Sequence, residues 1–323
     1  MRGIKKITIG WIWLTVFVAV SGEAAAVSYD LVVAADQSGD FRTVQEAIQA
    51  VPDFRAERTT IFIKAGVYKE KLVLPASKQN VTFIGESSRR TILTFDDYAS
   101  KKDAAGNNIG TSGSASFIIE GSGFEAYHIT FENSSGPVGQ AVAVRIDADK
   151  IRFEDCRFLG FQDTLYPKLS GCRQYFKNCY IEGTVDFIFG WSTAYFESCE
   201  IYCKSGGYIT AASTDSITPY GFVFHQCRIG GNAPPASFYL GRPWRDYAQT
   251  VFISCKLSDI IRPEGWHNWD KPQAEKTAYY AEYRSRGPGA QPESRVRWSH
   301  QLSRKDLARF TLPNVMGNWH VRP

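Results

Sequence analysis

Apolar positions along this chain fall into two regimes. The first is one predominantly apolar run from Ile7 to Val20, preceded by Arg2, Lys5 and Lys6 and followed by small residues that include Ala24-Ala25-Ala26. A basic start, a run of 14 residues and an A-x-A site predict a cleaved export signal over residues 1–26, because a spanning helix needs about 20 apolar residues. The second regime fills the rest of the chain with short β-branched or aromatic stretches, such as Ile151-Arg152-Phe153 and Thr250-Val251-Phe252, broken by Gly, Asn, Asp or Ser. That composition favours short strands over helices.

Five of these stretches share a unit. Phe153-Glu-Asp-Cys156, Phe176-Lys-Asn-Cys179, Phe196-Glu-Ser-Cys199, Phe224-His-Gln-Cys227 and Phe252-Ile-Ser-Cys255 all read Phe-x-x-Cys, with the cysteines 23, 20, 28 and 28 residues apart. A period in this range marks a solenoid in which each repeat is one supersecondary unit. Strands recurring without an intervening helical pattern cannot form βαβ units. The predicted fold is therefore all-β, a single-stranded right-handed parallel β-helix over residues 27–323 in one domain. Its five cysteines should form a buried ladder of small side chains. Cys172 and Cys203 lie off that ladder and are free to pair, while no Cys-x-x-Cys or His-x-x-x-His spacing suggests zinc.

A solenoid needs covers at its ends, since open edges present unpaired backbone groups. Thr43-Val-Gln-Glu46 has capping-box spacing, and Val44, Ala47, Ile48 and Val51 follow at helical intervals before Pro52. An N-terminal capping helix is expected there. At the other end Ser303-Arg-Lys-Asp306 opens a shorter candidate with Leu307 and Phe310 on one face.

Charge narrows the partners. Removing residues 1–26 takes away three basic side chains and Glu23, so the formal charge falls from +4 to +2. A nearly neutral body does not suit nucleic acid, and no second apolar run is long enough to hold the exported chain in a membrane. A secreted protein, extracellular or periplasmic, and a monomer are expected.

Repeat phase then locates candidate chemistry. Asp163 lies seven residues after Cys156 and Asp186 seven after Cys179, while Gly160 and Gly183 each lie four after the same cysteines. Residues at equal phase stack on adjacent coils about 4.8 Å apart. Two carboxylates that close cannot both ionise freely, so one should keep its proton while the other stays anionic. Solvated turn residues are the commoner role for aspartates in loops, but the neighbours here favour a site. Gln162 precedes Asp163, and Gln140 lies one coil earlier, six residues after Ser134, where Phe131-Glu-Asn-Ser134 looks like the ladder unit. Two neutral amides could donate to a developing oxyanion without disturbing the carboxyl pair. Arg242, in Leu240-Gly-Arg-Pro-Trp244, is the candidate to hold one aspartate ionised through a bidentate contact.

Taken together, Gly66-Val-Tyr68-Lys-Glu70, Gly139-Gln-Ala-Val-Ala-Val-Arg145, Phe161-Gln-Asp-Thr-Leu-Tyr166, Gly183-Thr-Val-Asp-Phe-Ile-Phe-Gly190 and Leu240-Gly-Arg-Pro-Trp244 resemble the motifs of the pectinesterases, in that family's order. The resemblance runs from about Val33 to Gly289. It implies that Asp186 is the nucleophile, Asp163 the general acid and later base, Gln140 and Gln162 the oxyanion donors, and Arg242 the partner of the nucleophile. It implies a hydrolase that takes methyl groups from the C6 esters of homogalacturonan, giving pectate and methanol, with no metal or organic cofactor. Its partner would be methyl-esterified polygalacturonate. Phe161 departs from the family, where tyrosine is common. Trp244 and Trp266 resemble positions lining the substrate groove, and Phe161 and Tyr220 join them as substrate-binding candidates, although these two, with Phe187 and Trp191, suit internal stacking equally well. The segment from Asp97 to Ser116, rich in Gly, Ser, Asn and Lys, reads as a loop.

Rival readings on the same scaffold are weaker. A retaining glycosidase also wants two close carboxylates, but it gives no role to paired glutamines. A lyase would call for a calcium-binding acidic cluster, and a serine esterase for Gly-x-Ser-x-Gly, which is missing. A non-catalytic carbohydrate-binding or envelope protein would be expected to have lost part of the constellation, and all five of its residues are present.

Overall fold

The protein is described by a computed structural model over residues 29–321, so the expected export signal lies outside the described residues. Among the described residues twenty-six strands form three parallel sheets of eleven, eight and seven strands, which the chain visits in turn. One coil shows the plan: Ile151–Glu154 joins the eleven-stranded sheet, Arg157–Leu159 the eight-stranded sheet and Leu165–Pro167 the seven-stranded sheet, before Arg173–Lys177 begins the next coil. This is a parallel β-helix.

Backbone conformation explains the Phe-x-x-Cys unit. The phenylalanines pair in register, Phe153 with Phe176, Phe196, Phe224 and Phe252 in succession, and their rings stack at 5.2, 4.7, 4.4 and 4.5 Å. The residue before each cysteine turns the chain from the eleven-stranded into the eight-stranded sheet. His128, Asp155, Asn178, Ser198, Gln226, Ser254 and Arg284 occupy this corner on successive coils, all with φ between 46° and 56°. The first six of these N–H groups bond to the next coil: Asp155, for example, donates to Lys177 O at 3.1 Å, Asn178 to Glu197 O at 3.0 Å and Ser254 to Tyr283 O at 2.7 Å. The inter-coil bonding therefore runs through the bend, which offsets the cost of a left-handed residue. Each cysteine then tucks inward, buried, with its Sγ directed at a carbonyl of the preceding coil.

Upstream the unit changes letters. Phe153 pairs with Ala126, so the ladder continues through Ala126-Tyr-His-Ile129. Phe131-Glu-Asn-Ser134 belongs instead to the eight-stranded sheet, where Phe131 pairs with Phe158. Its resemblance to the ladder unit is a coincidence of apolar spacing one strand out of phase.

The N-terminal helix, Val44–Ala50, forms with the expected capping box: Thr43 Oγ1 accepts from Glu46 N and Glu46 Oε2 from Thr43 N. Glu70 also accepts from Val44 N and Gln45 N at 2.9 and 3.0 Å, which ties the helix to the coil beneath. Val44, Ala47 and Ile48 bury themselves in the core. The expected C-terminal cover is placed differently. Asp306–Phe310 forms a 3-10 turn and Leu312–Met316 a short helix, but they lie along the outer face of the eleven-stranded sheet, covering Tyr175, Tyr195, Val223 and Val251. The apolar residues that close the last coil are Ala290, Val296 and Trp298. Arg295 anchors them through a buried bidentate pair with Glu282 at 2.6 and 3.2 Å.

All seven cysteines are free thiols. Cys203 is buried at the end of Glu200–Cys203, and Cys172 is half-buried in a turn, where burial and then Asp149 and Asp147 push its thiol up to about 11. A thiol reagent should thus label native protein slowly at Cys172 alone, and all seven positions only after unfolding. Fast labelling of a ladder cysteine under native conditions, read by mass spectrometry of peptides, would contradict this packing.

Candidate active site

The site sits where strands of the eight-stranded sheet hand over to the seven-stranded sheet. After Arg157–Leu159 and Tyr180–Gly183 the chain must reverse within a few residues to enter Leu165–Pro167 and Ile188–Gly190. Gly160 and Gly183 permit it: a Cβ on Gly160 would come within 2.6 Å of Thr164 Oγ1, and one on Gly183 would overlap Phe187. Asp163 and Asp186 then adopt φ values of 67° and 51°, a left-handed conformation that aspartate tolerates better than most residues. Leu165 pairs with Ile188, and Asp163 N donates to Val185 O at 3.1 Å, so the two aspartates are equivalent on adjacent coils.

Gln140 and Gln162 form a parallel bridge, with Ala141 N donating to Gln162 O at 3.1 Å. Gln140 thus arrives beside Gln162 although Ser134 does not set its phase; the true equivalent of Cys156 is Ile129, since Arg157 pairs with Thr130. The extra residues of this coil lie in Ser134–Gly139. Ala99 N binds Gln140 O at 2.8 Å, and Asn133 Nδ2 reaches Asp97 O and Ser114 O, so the 97–114 loop is bolted to the same coil.

Arg242 arrives from Phe238–Gly241, its N–H held by Thr210 O at 3.0 Å. Its Nε and Nη2 donate to Asp186 Oδ1 and Oδ2 at 2.9 and 2.6 Å. The guanidinium is clamped between the rings of Tyr208 and Trp269, 3.9 and 3.7 Å from their centroids. A planar cation fixed on both faces leaves one bidentate geometry.

The two carboxyls differ as a result. Burial drives Asp163 well above the ordinary carboxylate range, the charge of Asp186 adds to this, and Arg242 only partly opposes it. Burial also raises Asp186, but the hydrogen bonds and charge of Arg242 pull it back. A proton shared by the pair therefore resides on Asp163, leaving Asp186 as the anion.

A cleft of about 610 Å³ opens over these groups, with Gln140, Gln162, Asp163, Asp186 and Arg242 all in its wall. Trp244 lines it as expected, but three other aromatic candidates do not. Trp266 is 1% exposed, because the bridge of Gly241 to Trp266 turns its ring inward to stack on Tyr280 at 4.4 Å. Tyr220 packs against Phe310 of the C-terminal segment. Phe161 stands outside the lining, its ring capped by Lys204 Nζ at 3.6 Å. In their place the cleft uses Tyr166, Phe189 and Trp269, with Ile109–Ser112 of the loop as its rim. Tyr166 and Phe189 each follow an aspartate by three residues and stack at 4.1 Å, so the same repeat phase that locates the carboxyls also locates them. Trp269 lies in an irregular loop outside the repeat and carries no periodic signal.

Carboxyls of unequal proton affinity, set in an aromatic trough on a parallel β-helix, define a carbohydrate-active β-helix enzyme. The pectinesterase family profile matches residues 30–318. The chain is 45% identical over 297 residues to pectinesterase 31 of Arabidopsis thaliana, covering 90% of this chain and 93% of that one. It superposes on pectin methylesterase from carrot with a TM-score of 0.83 at 38% identity, covering 92% and 96% of the two chains. With a pectin methylesterase solved in complex with a hexasaccharide the TM-score is 0.80 at 29% identity, over 92% and 100%. The chain belongs to the pectinesterase family, whose enzymes remove methyl esters from pectin.

The site strains the fold in a way that can be measured. A carboxyl with a raised folded-state pKa stabilises the protein in its protonated form and loses that contribution as pH rises through the folded value. Asp163→Asn should accordingly raise Tm near pH 8, with the gain vanishing below the ordinary carboxylate range, where both states are protonated. Equal gains across a pH series of thermal melts would contradict the assignment.

Proposed function

We propose that the chain demethylates homogalacturonan by covalent catalysis, with Asp186 as nucleophile and Asp163 as the proton-transfer group. The observation that carries this reading is the asymmetry of the pair: one carboxylate is clamped to Arg242, and its neighbour on the preceding coil pairs with no cation among the described residues.

An Asp186 carboxylate oxygen attacks the C6 carbonyl carbon of a methyl galacturonate. The resulting oxyanion takes hydrogen bonds from the amides of Gln140 and Gln162, which gain strength as charge develops. The C–O bond to the methoxy group then breaks, Asp163 delivers its proton, and methanol leaves an acyl-enzyme on Asp186. Asp163, now anionic, takes a proton from water as the hydroxide oxygen attacks the same carbon. Collapse returns the Asp186 carboxylate and releases the acid form of the sugar, which ionises in solution. Trp244, with Tyr166 and Phe189 beneath it, gives the apolar faces of the pyranose rings a surface. The hexasaccharide bound by a related pectin methylesterase supports a substrate longer than one sugar. Export of a monomer by residues 1–26 belongs to the same reading.

Asp186→Asn should reduce methanol release from highly methylated pectin by a factor on the order of 10⁴ while the far-UV spectrum stays native. Full activity in that variant would remove the nucleophile assignment, and reducing ends or unsaturated products in place of methanol would remove the esterase reading.

The pH profile offers a second test. Activity needs Asp186 ionised and Asp163 protonated, so the acidic limb reports the first and the alkaline limb the second. Arg242→Gln removes the groups that hold Asp186 down, so the acidic limb should move to higher pH together with a fall in kcat. A limb that stays in place would show that Arg242 does not control the titration.

A further inference from the structure

On a different edge of the solenoid the corner between the eleven- and eight-stranded sheets carries a groove of about 610 Å³, lined by Ser198, Gln226, Arg228, Ser254, Lys256 and Arg286 with Cys227 at its floor. Its two banks differ in chemistry. Arg228 pairs with Lys256 and Lys256 with Arg286 on successive coils, which makes one bank a file of three exposed cations in register. The other bank is the left-handed corner itself, with Ser198, Gln226 and Ser254 at φ of 55°, 56° and 54°. A neutral hydrogen-bonding row therefore runs parallel to a charged row at one step per coil.

Like charges stacked directly across neighbouring strands destabilise a sheet, whereas several other cations along the coils meet a carboxylate. Arg58 meets Glu125 at 3.1 Å, Lys177 meets Glu154 at 3.3 Å and Lys204 meets Glu182 at 2.9 Å. In the groove only Arg228 has an acidic neighbour, Glu200 at 3.9 Å, and its side chain remains 72% exposed. Among the described residues Lys256 and Arg286 pair with no carboxylate. A cation file left uncompensated by the fold suits an anion that repeats along the solenoid axis, and the opposite bank suits that ligand's hydroxyls.

The geometry points to a second, non-catalytic site for a linear polyuronate, the de-esterified stretch of polymer that the active cleft leaves behind. Its assignment to uronate rests on the esterase reading above. Carboxylates lie along the Arg228-Lys256-Arg286 bank, and ring hydroxyls meet Ser198, Gln226 and Ser254. The still-methylated polymer is uncharged at C6 and gains little from this bank, so the groove distinguishes product from substrate. Bound product keeps the enzyme on a polymer whose remaining esters then reach the cleft at raised local concentration.

The test uses the full chain carrying Asp186→Asn, chosen to suppress turnover, and measures binding to fully de-esterified polygalacturonate and to highly methylated pectin at low and high salt. Lys256→Glu/Arg286→Glu should weaken binding of the de-esterified polymer by about tenfold or more at low salt, reduce its salt dependence, and leave binding of methylated pectin in place. A charge-matched control, Arg304→Glu/Lys305→Glu on the C-terminal segment, should change neither. Undiminished binding of polygalacturonate, equal loss for both polymers, or equal loss in the control would each overturn the proposal. If the reversed pair unfolds the protein, Lys256→Gln/Arg286→Gln is read by the same criteria. Methanol release by the unsubstituted chain is scored separately, so failure of the esterase reading is told apart from failure of the groove.

Discussion

Everything in this molecule depends on the in-register backbone hydrogen bonding between one coil and the next. Because each coil is bound to its neighbours on three sheets, a residue's position in the repeat decides which side chains it stacks on and which edge it faces. The aspartate pair is a special case of that constraint. Asp163 and Asp186 are separated in sequence by a whole coil but adjacent in phase, and the bonds of Asp163 N to Val185 O and Leu165 N to Phe187 O hold them there. No loop rearrangement is needed to bring the two carboxyls together, so the cost of placing them is met by the scaffold rather than by substrate binding.

That cost is electrostatic. A buried carboxyl beside a carboxylate is unfavourable, and the protein resolves it by giving Arg242 to one partner. The clamp of Tyr208 and Trp269 on Arg242 matters here as much as the ion pair does. An arginine free to swing could serve either aspartate, and the proposed division of labour between nucleophile and acid would blur. One of the rings that hold Arg242, that of Trp269, also lines the cleft, so cleft surface and charge assignment meet in that residue.

Much of this was legible in residue order, because a solenoid converts sequence phase directly into spatial neighbourhood. The Phe-x-x-Cys unit carried the coil length and the stacking of phenylalanines, and counting from its cysteines located both aspartates. Phase failed where the repeat changed length or letters. Phe131-Glu-Asn-Ser134 imitates the unit but sits on another sheet, and the true upstream coil reads Ala126-Tyr-His-Ile129, which lacks both marker residues. Aromatic roles were harder to read, since a tryptophan's direction depends on which strand bond it makes. Trp266 turns inward through its bridge to Gly241, whereas Trp244, N-bonded to Ala212 O, faces the cleft. Export and Trp269 show the other limits: the first lies outside the described residues, and the second belongs to no period.

The C-terminal segment has a mechanical meaning of its own. A stack in which each unit touches only its neighbours can peel from one end, losing coils one by one. Here the last residues double back over the sheet, and Arg173 reaches Met316 O at 2.8 Å while Arg309 reaches Pro219 O at 3.1 Å. Those contacts brace coils in the middle of the stack against its end. Fraying at the tail is thereby coupled to the coils that carry Asp163 and Asp186, and a structure built by local addition comes apart as a whole.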